Sequence, residues 1–412
     1  MQNGFNMKNI HIIGGGTSGW LTALSVQKIF PNSNLTLIES KSIGIIGVGE
    51  GTTPNFVELL KKLNIDINDF ESKTNQTKKI GICFRNWPGD DTFYNHDFSN
   101  KITAYHIDAQ TFSEYFKNIA IQRGVSHIED DVLGFDTDFK KIKNKKETHV
   151  NKIKLKSGDD INTDFIFDCS GFGKLIIDKV MKSEWVSVKE YLTVDSAITF
   201  HLPNDKKLIS YKDRTDSTTM KCGWLWKIPL KNRIGAGYVF NSKYTSDEDA
   251  KKEIQDLFET PIDFKKKISF ESGYFNNLWV GNCISVGLSG GFFEPIEATS
   301  IMTAAIELVY LMDNKLNYNL RTSFNNHMRN VNNEILDFIR YHYVCDRKDT
   351  EFWSDYQNIQ LTKKLSSILD ENRKLSISRP KELLFKNKTS VFSFMSYQVL
   401  NAGNFIKREN LI

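Results

Sequence analysis

The chain has 412 residues, 40% hydrophobic and 25% charged, ample for a buried core and too long for one simple core, so two closely packed lobes are expected. Its net charge is only +4, with lysines scattered among acids, which excludes a nucleic-acid or membrane-surface footprint. Cys83, Cys169, Cys222, Cys283 and Cys345 form no C-x-x-C pair, and the histidines are dispersed, so neither a disulfide framework nor a metal site is supported.

In chain order, "KNIHIIGGGTSGWLTALSVQKIF" reads as a buried strand, a glycine turn and an amphipathic helix, and "NLTLIES" as the next strand. Residues 55 to 70 look helical, "VNKIKLKSGDDINTDFIFDCSG" holds a strand pair, and 186 to 240 reads as strands with turns. The apolar spacing predicts helices through 298 to 345, then mixed helix and loop. No signal peptide or bilayer-length apolar run is visible, so a reduced, cytoplasmic protein without membrane association is expected.

The turn Gly14-Gly15-Gly16-Thr17-Ser18-Gly19 fits G-x-G-x-x-G. It follows a strand, opens a helix, and is followed after the next strand by Glu39, the expected acceptor for a ribose hydroxyl. Gly14, Gly16, Thr17, Ser18 and Gly19 would cradle a dinucleotide pyrophosphate. The late segments "DFIFDCSGFG" and "CISVGLSGGFFEPIEATS" each add a strand and a glycine turn, the second leading into a helix. That arrangement favours FAD over a nicotinamide cofactor and places Gly287 and Ile301 beside it.

Residues 222 to 230, "CGWLWKIPL", carry W-x-W-x-I-P, with Trp224 and Trp226 on one face of a strand. The motif resembles that of flavin-dependent halogenases of the tryptophan-halogenase type. Other motifs of that family follow the same order: "GVGEGTTP" (Gly47 to Pro54), "YHIDAQTF", "IGAGYVF" and "RKDTEFW". The resemblance implies that Gly49, Glu50, Gly51 and Thr52 contact the flavin and that the two tryptophans wall its chamber.

The family also carries K-x-x-I-x-F-x-N-W, and counting back from Trp87 lands on Lys79; its neighbour Lys78 is expected in solvent. In the family, reduced flavin and O₂ convert halide to hypohalous acid, which a lysine relays by hydrogen bonding or as a haloamine. Glu297 in "EPIEATS" matches the family's second glutamate and is expected beside Lys79, taking up the proton that the substrate releases. Glu294 matches the first glutamate and reads as structural, as does His106. Thr299 and Ser300 match the halide-holding pair, with Ser300 where the family has glycine. Chloride, bromide and iodide stay open, and the larger halides are easier to oxidise.

Only eighteen residues separate Trp87 from His106, where tryptophan-specific members have a long insertion. The resemblance therefore points away from free tryptophan and towards another electron-rich aromatic or heteroaromatic substrate. Core packing is the expected role of Phe392, Phe394 and Tyr397, with lining of the substrate site the alternative. The expected fold is α/β: a three-layer Rossmann-like FAD-binding lobe, an inserted mostly antiparallel sheet and a helical C-terminal lobe, packed as one unit over 1–412. The FAD lobe is drawn from about 8–80, 150–180 and 275–315, and the substrate side from about 81–149, 181–274 and 316–412. The expected activity is halogenation with FADH₂ from a separate flavin reductase, O₂ and a halide ion. An FAD-dependent aromatic hydroxylase is the alternative, and a non-catalytic flavin protein a third. Homo-oligomers are left open.

Overall fold

The strand Asn9–Ile13 sits inside a six-stranded sheet of this computed structural model, which describes residues 7–44, 49–98, 102–142, 145–378 and 391–405. The order is Trp279–Val280, Cys283–Ser285, Phe165–Asp168, Asn9–Ile13, Asn34–Glu39 and Ser126–Glu129, parallel except for the edge hairpin formed by the first two. Its central strands are continuous apolar runs, as a parallel sheet covered on both faces requires. The helices Thr17–Ile29, Ala109–Gln122 and Thr299–Asp313 pack together. The strands Val132–Ile142, Lys145–Leu155 and Asp160–Asn162 form a separate meander. Asn282 ties it to the parallel sheet, its amide accepting from the Val150 N–H and donating to the Val150 carbonyl.

Ser126–Glu129 corrects the expected lobe boundary. It lies within the span assigned to the substrate side, yet it pairs in parallel with Asn34–Glu39, because the crossover helix Ala109–Gln122 returns the chain to that edge. The helical stretch after Thr53 is two helices, Pro54–Lys62 and Ile67–Lys73, broken at Asn64 with φ 54°.

The second large sheet has seven strands, in the order Asp263–Ser269, Ser196–Leu202, Ile234–Phe240, Gly223–Pro229, Arg214–Met220, Gly81–Arg85 and Phe93–Asp97. It is antiparallel except where Arg214–Met220 meets Gly81–Arg85. Strand alternation separates two apolar clusters across it. Trp224, Trp226 and Ile228 join the main core, while Leu225 joins a smaller one with Phe200 and Ile254 under the helix Asp247–Leu257. A small sheet, Glu50–Gly51, Ala104–Ile107 and Thr77–Lys79, links the two lobes.

Candidate active site

The glycine turn is built for a close ligand. Gly14 has φ 114°, and a side chain there would overlap the Cys169 carbonyl, while one on Gly19 would overlap the Gly14 carbonyl. Gly16 differs: a Cβ on it would meet no atom within 4 Å, so the turn opens to free space at the start of the helix Thr17–Ile29, whose N-terminus has no side-chain cap. Gly287 closes against the same helix, a side chain there standing 2.9 Å from Ser18 Cβ. Glu39 lies across the turn against Gly15, and its Oε1 accepts from His127 Nε2 at 2.7 Å and Lys117 Nζ at 2.9 Å. His127, Glu39 and Glu129 bring their ligand atoms together, but Lys117 supplies the cation between the carboxylates. Open turn, uncapped helix and an acid across from them fit a dinucleotide cofactor.

The strand Thr77–Lys79 settles which lysine turns inward. Alternation exposes Lys78 and buries Lys79 fully. Lys79 Nζ has no hydrogen-bond partner among the described residues, and burial pulls its pKa from 10.5 down to about 8, with Glu297 opposing. Leaving an ammonium without a hydrogen-bond partner in the interior costs several kcal/mol, and the Phe98 ring centroid lies 5.5 Å from Nζ. Lys79 Nζ and Ala298 Cβ flank one point, 2.8 and 3.2 Å from where a Cβ on Gly51 would stand. The ammonium thus lies beside the residue that follows Glu297.

Glu297 ends the short turn Pro295–Glu297 and is buried. Ala298 then adopts φ 56° and ψ 40°, a left-handed conformation rare for a residue with a side chain, and the helix Thr299–Asp313 begins. Two histidines, absent from the residues singled out in the sequence, meet the carboxylate: His96 Nδ1 at 3.0 Å and His342 Nε2 at 2.8 Å, both on Oε1. Burial would raise this carboxyl, but the His96 charge and the bonds from His342 and His96 outweigh it and hold the pKa well below the usual carboxylate range. A signal for His342 existed: it stands four residues after Phe338 on the buried face of the helix Arg321–His342. His96, on the edge strand Phe93–Asp97, carried none.

The remaining candidates divide. Thr299 Oγ1 is buried without a hydrogen-bond partner among the described residues, in the first turn of its helix, a fit for an anion. Ser300 has ordinary helical backbone, so standing in for glycine costs it no strain. Thr52 spends its hydroxyl on the Tyr105 backbone, while burial, with Asp108 adding to it, pushes Glu50 up to about 7. Gly49 has φ 102°, and Ile301 is buried in its helix; Gly47 lies outside the described residues. Trp224 and Trp226 share a face, centroids 6.0 Å apart, and Trp224 Nε1 donates to Glu294 Oε1 at 3.1 Å. Tyr343 donates to the same oxygen at 2.5 Å, which gives Glu294 a structural place. His106 is likewise held, its Nε2 3.0 Å from Thr215 Oγ1. Phe392 stacks on Phe338 at 3.8 Å and Tyr397 meets the same ring edge-on at 5.0 Å, so both pack behind the histidines; the Phe394 side chain is outside the description.

The tryptophan halogenase family model matches residues 9–104 and 101–410. The chain belongs to the tryptophan halogenase family. The similarity extends to tryptophan 7-halogenase RebH of Lentzea aerocolonigenes, 27% identical over 88% of this chain and 81% of that one. Tryptophan 6-halogenase SttH of Streptomyces toxytricini is 26% identical over 86% and 82%. The solved SttH structure superposes with a TM-score of 0.86 over 97% of this chain and 90% of its own. BrvH, a flavin-dependent halogenase from Brevundimonas sp. BAL3, gives 0.83 over 96% and 90%. At 24% identity each, these two superpositions show the common fold, mixed α/β with a Rossmann-like parallel sheet. As in the rest of this halogenase family, the chain is an enzyme, and no helix among its described residues is long and apolar enough to cross a membrane.

Proposed function

We propose that this halogenase transfers a halogen from hypohalous acid to an electron-rich aromatic or heteroaromatic small molecule other than free tryptophan, with Lys79 and Glu297 as the reacting pair. The observation that carries the reading is the fully buried Lys79 Nζ, without a hydrogen-bond partner among the described residues, beside the segment that bears the buried Glu297 carboxyl. FAD, bound as FADH₂ from a separate reductase, supplies with O₂ the oxidising power that turns halide into hypohalous acid. The open Gly16 turn and Glu39 would hold it, with Gly287 closing on the helix that starts there. Trp224 and Trp226 would wall its chamber, and Thr299 and Ser300 would meet the halide.

Lys79 is suited to hold and polarise hypohalous acid. A pKa near 8 leaves its ammonium charged at neutral pH yet ready to give up a proton. The aromatic carbon bonds to the halogen, the halogen–oxygen bond breaks, and Lys79 protonates the departing hydroxide to water. Glu297, still a carboxylate, then removes the proton from the ring carbon. Return of that proton to Lys79 closes the cycle: aromatic C–H and hypohalous acid give aryl halide and water.

A mass-spectrometric screen tests this. Purified protein, a flavin reductase, FAD, NADH and O₂ would meet phenols, indoles, anilines and tryptophan with chloride, bromide or iodide. Halogen added by the wild type and lost in Lys79→Ala supports the reading. Oxygen added without halide would replace it with an aromatic hydroxylase, and tryptophan as the preferred substrate would overturn the substrate assignment.

A further inference from the structure

The hydrogen bonds around His342 count one proton more than a neutral imidazole and a carboxylate carry between them. His342 Nδ1 lies 2.9 Å from the carbonyl of Phe338, which can only accept, so Nδ1 bears a hydrogen. In a neutral ring Nε2 would then present a lone pair, yet Nε2 lies 2.8 Å from Glu297 Oε1. A carboxylate oxygen offers no proton to that lone pair. Either Glu297 is protonated or the ring is.

Two features choose between them. His96 Nδ1 is also on Oε1, at 3.0 Å, so this oxygen collects two imidazole contacts, the pattern of an acceptor carrying negative charge. Lys79 lies nearby, its buried charge stabilising an anion further. We infer that His342 is held as an imidazolium by Glu297 and that His342 and His96 together are positioning residues. They fasten Oε1 and keep the carboxylate ionised, so that Oε2, used by neither imidazole, is the oxygen that takes the ring proton. The catalytic consequence rests on the reading above; the charge state of the ring does not.

Phe84 and Trp87 face His342 with apolar rings, at 4.9 and 5.9 Å. Among the neighbouring titratable groups are Glu297 on the turn, His96 and Tyr94 on the edge strand, Cys83 on the strand beside that one, Tyr341 before His342 in its helix, and Lys79 on the linking sheet. Tyr343 and Cys345 follow in the chain, and Tyr397 comes from the C-terminal helix Phe394–Phe405. Burial raises Tyr94, Tyr343, Tyr397 and Cys345, so all four stay neutral and the charge is settled among Lys79, Glu297 and the two imidazoles.

Protein labelled with ¹⁵N-histidine, observed at pH 7.5, tests the charge state directly. The His342 ring is assigned by the signal lost in His342→Gln. Both ring nitrogens protonated in the wild type is the expected result. In Glu297→Gln, whose amide can donate to Nε2, the ring should revert to the neutral Nδ1–H form. A neutral wild-type ring would place the proton on Glu297 and overturn the inference. Turnover with indole and bromide adds the second readout. His342→Leu should lose kcat by about a hundredfold with the KM for indole within twofold, and His342→Gln, which keeps one donor, should recover about a tenth of wild-type kcat. Equal kcat in the wild type and His342→Leu would remove the positioning role. A wild type that halogenates nothing sinks the functional reading, while the ring signal still decides the charge state.

Discussion

A methyl group on Gly51 would stand 2.8 Å from Lys79 Nζ and 3.2 Å from Ala298 Cβ, so the absence of a side chain at 51 makes the room the ammonium occupies. In this chain Gly51→Ala should push the lysine tip aside rather than break the fold, because only the far end of a flexible side chain must move. Thermal denaturation should change by less than the equivalent of about 1 kcal/mol, while kcat should fall several-fold. An unchanged kcat would show that the ammonium position is not critical.

Lys79 weakens the fold it serves. Its folded pKa near 8 lies below the usual 10.5, so the native state binds this proton less tightly than the unfolded chain. The penalty is fully present below pH 8 and fades as pH rises towards 10.5, where both states are neutral. Lys79→Met should therefore be more stable than the wild type at pH 7, by on the order of 3 kcal/mol, and inactive. Urea denaturation at pH 7 and pH 10 would read it, and an advantage that does not shrink at the higher pH would contradict the argument.

Glu294 makes the opposite kind of test. Burial raises its pKa to about 7, against the lowering bonds from Tyr343 and Trp224. The native state therefore holds this proton more tightly than the unfolded chain, and stability is lost as pH climbs from 4.5 to 7. Glu294→Gln keeps an acceptor for both donors without the charge, so its stability relative to wild type should rise over that window. Glu294→Ala leaves the Trp224 and Tyr343 donors unpaired and should cost about 2 kcal/mol at pH 6. Matched melting curves at three pH values would decide.

Glu39 should matter to the cofactor and not to the halogen transfer. Replacing it with alanine removes the acid that His127 and Lys117 hold across the glycine turn, and FAD affinity measured by flavin fluorescence should fall about tenfold. An unaltered affinity would mean the ribose is held elsewhere.

Local order was legible because it depends on neighbours in the chain. The strand, glycine turn and helix from Asn9 to Ile29 declare themselves by apolar spacing and by glycines whose backbones no other residue fits. The inward turn of Lys79 follows from alternation in a three-residue strand once Trp87 fixes the register of the motif. The pairing of Trp224 with Glu294 and the return of Ser126–Glu129 to the parallel sheet were not legible, since each depends on how distant elements dock.

By itself, then, the sequence determined the α/β character, the glycine turn and which of two neighbouring lysines faces inward, because short-range periodicity and motif spacing are properties of the chain. Only the tertiary structure decided what Glu297 meets. His96 lies 201 residues before it and His342 45 residues after it, and no local rule relates them. They converge because an edge strand, a tight turn and a long helix bury the same carboxylate, and a buried charge must be given partners wherever the fold can supply them.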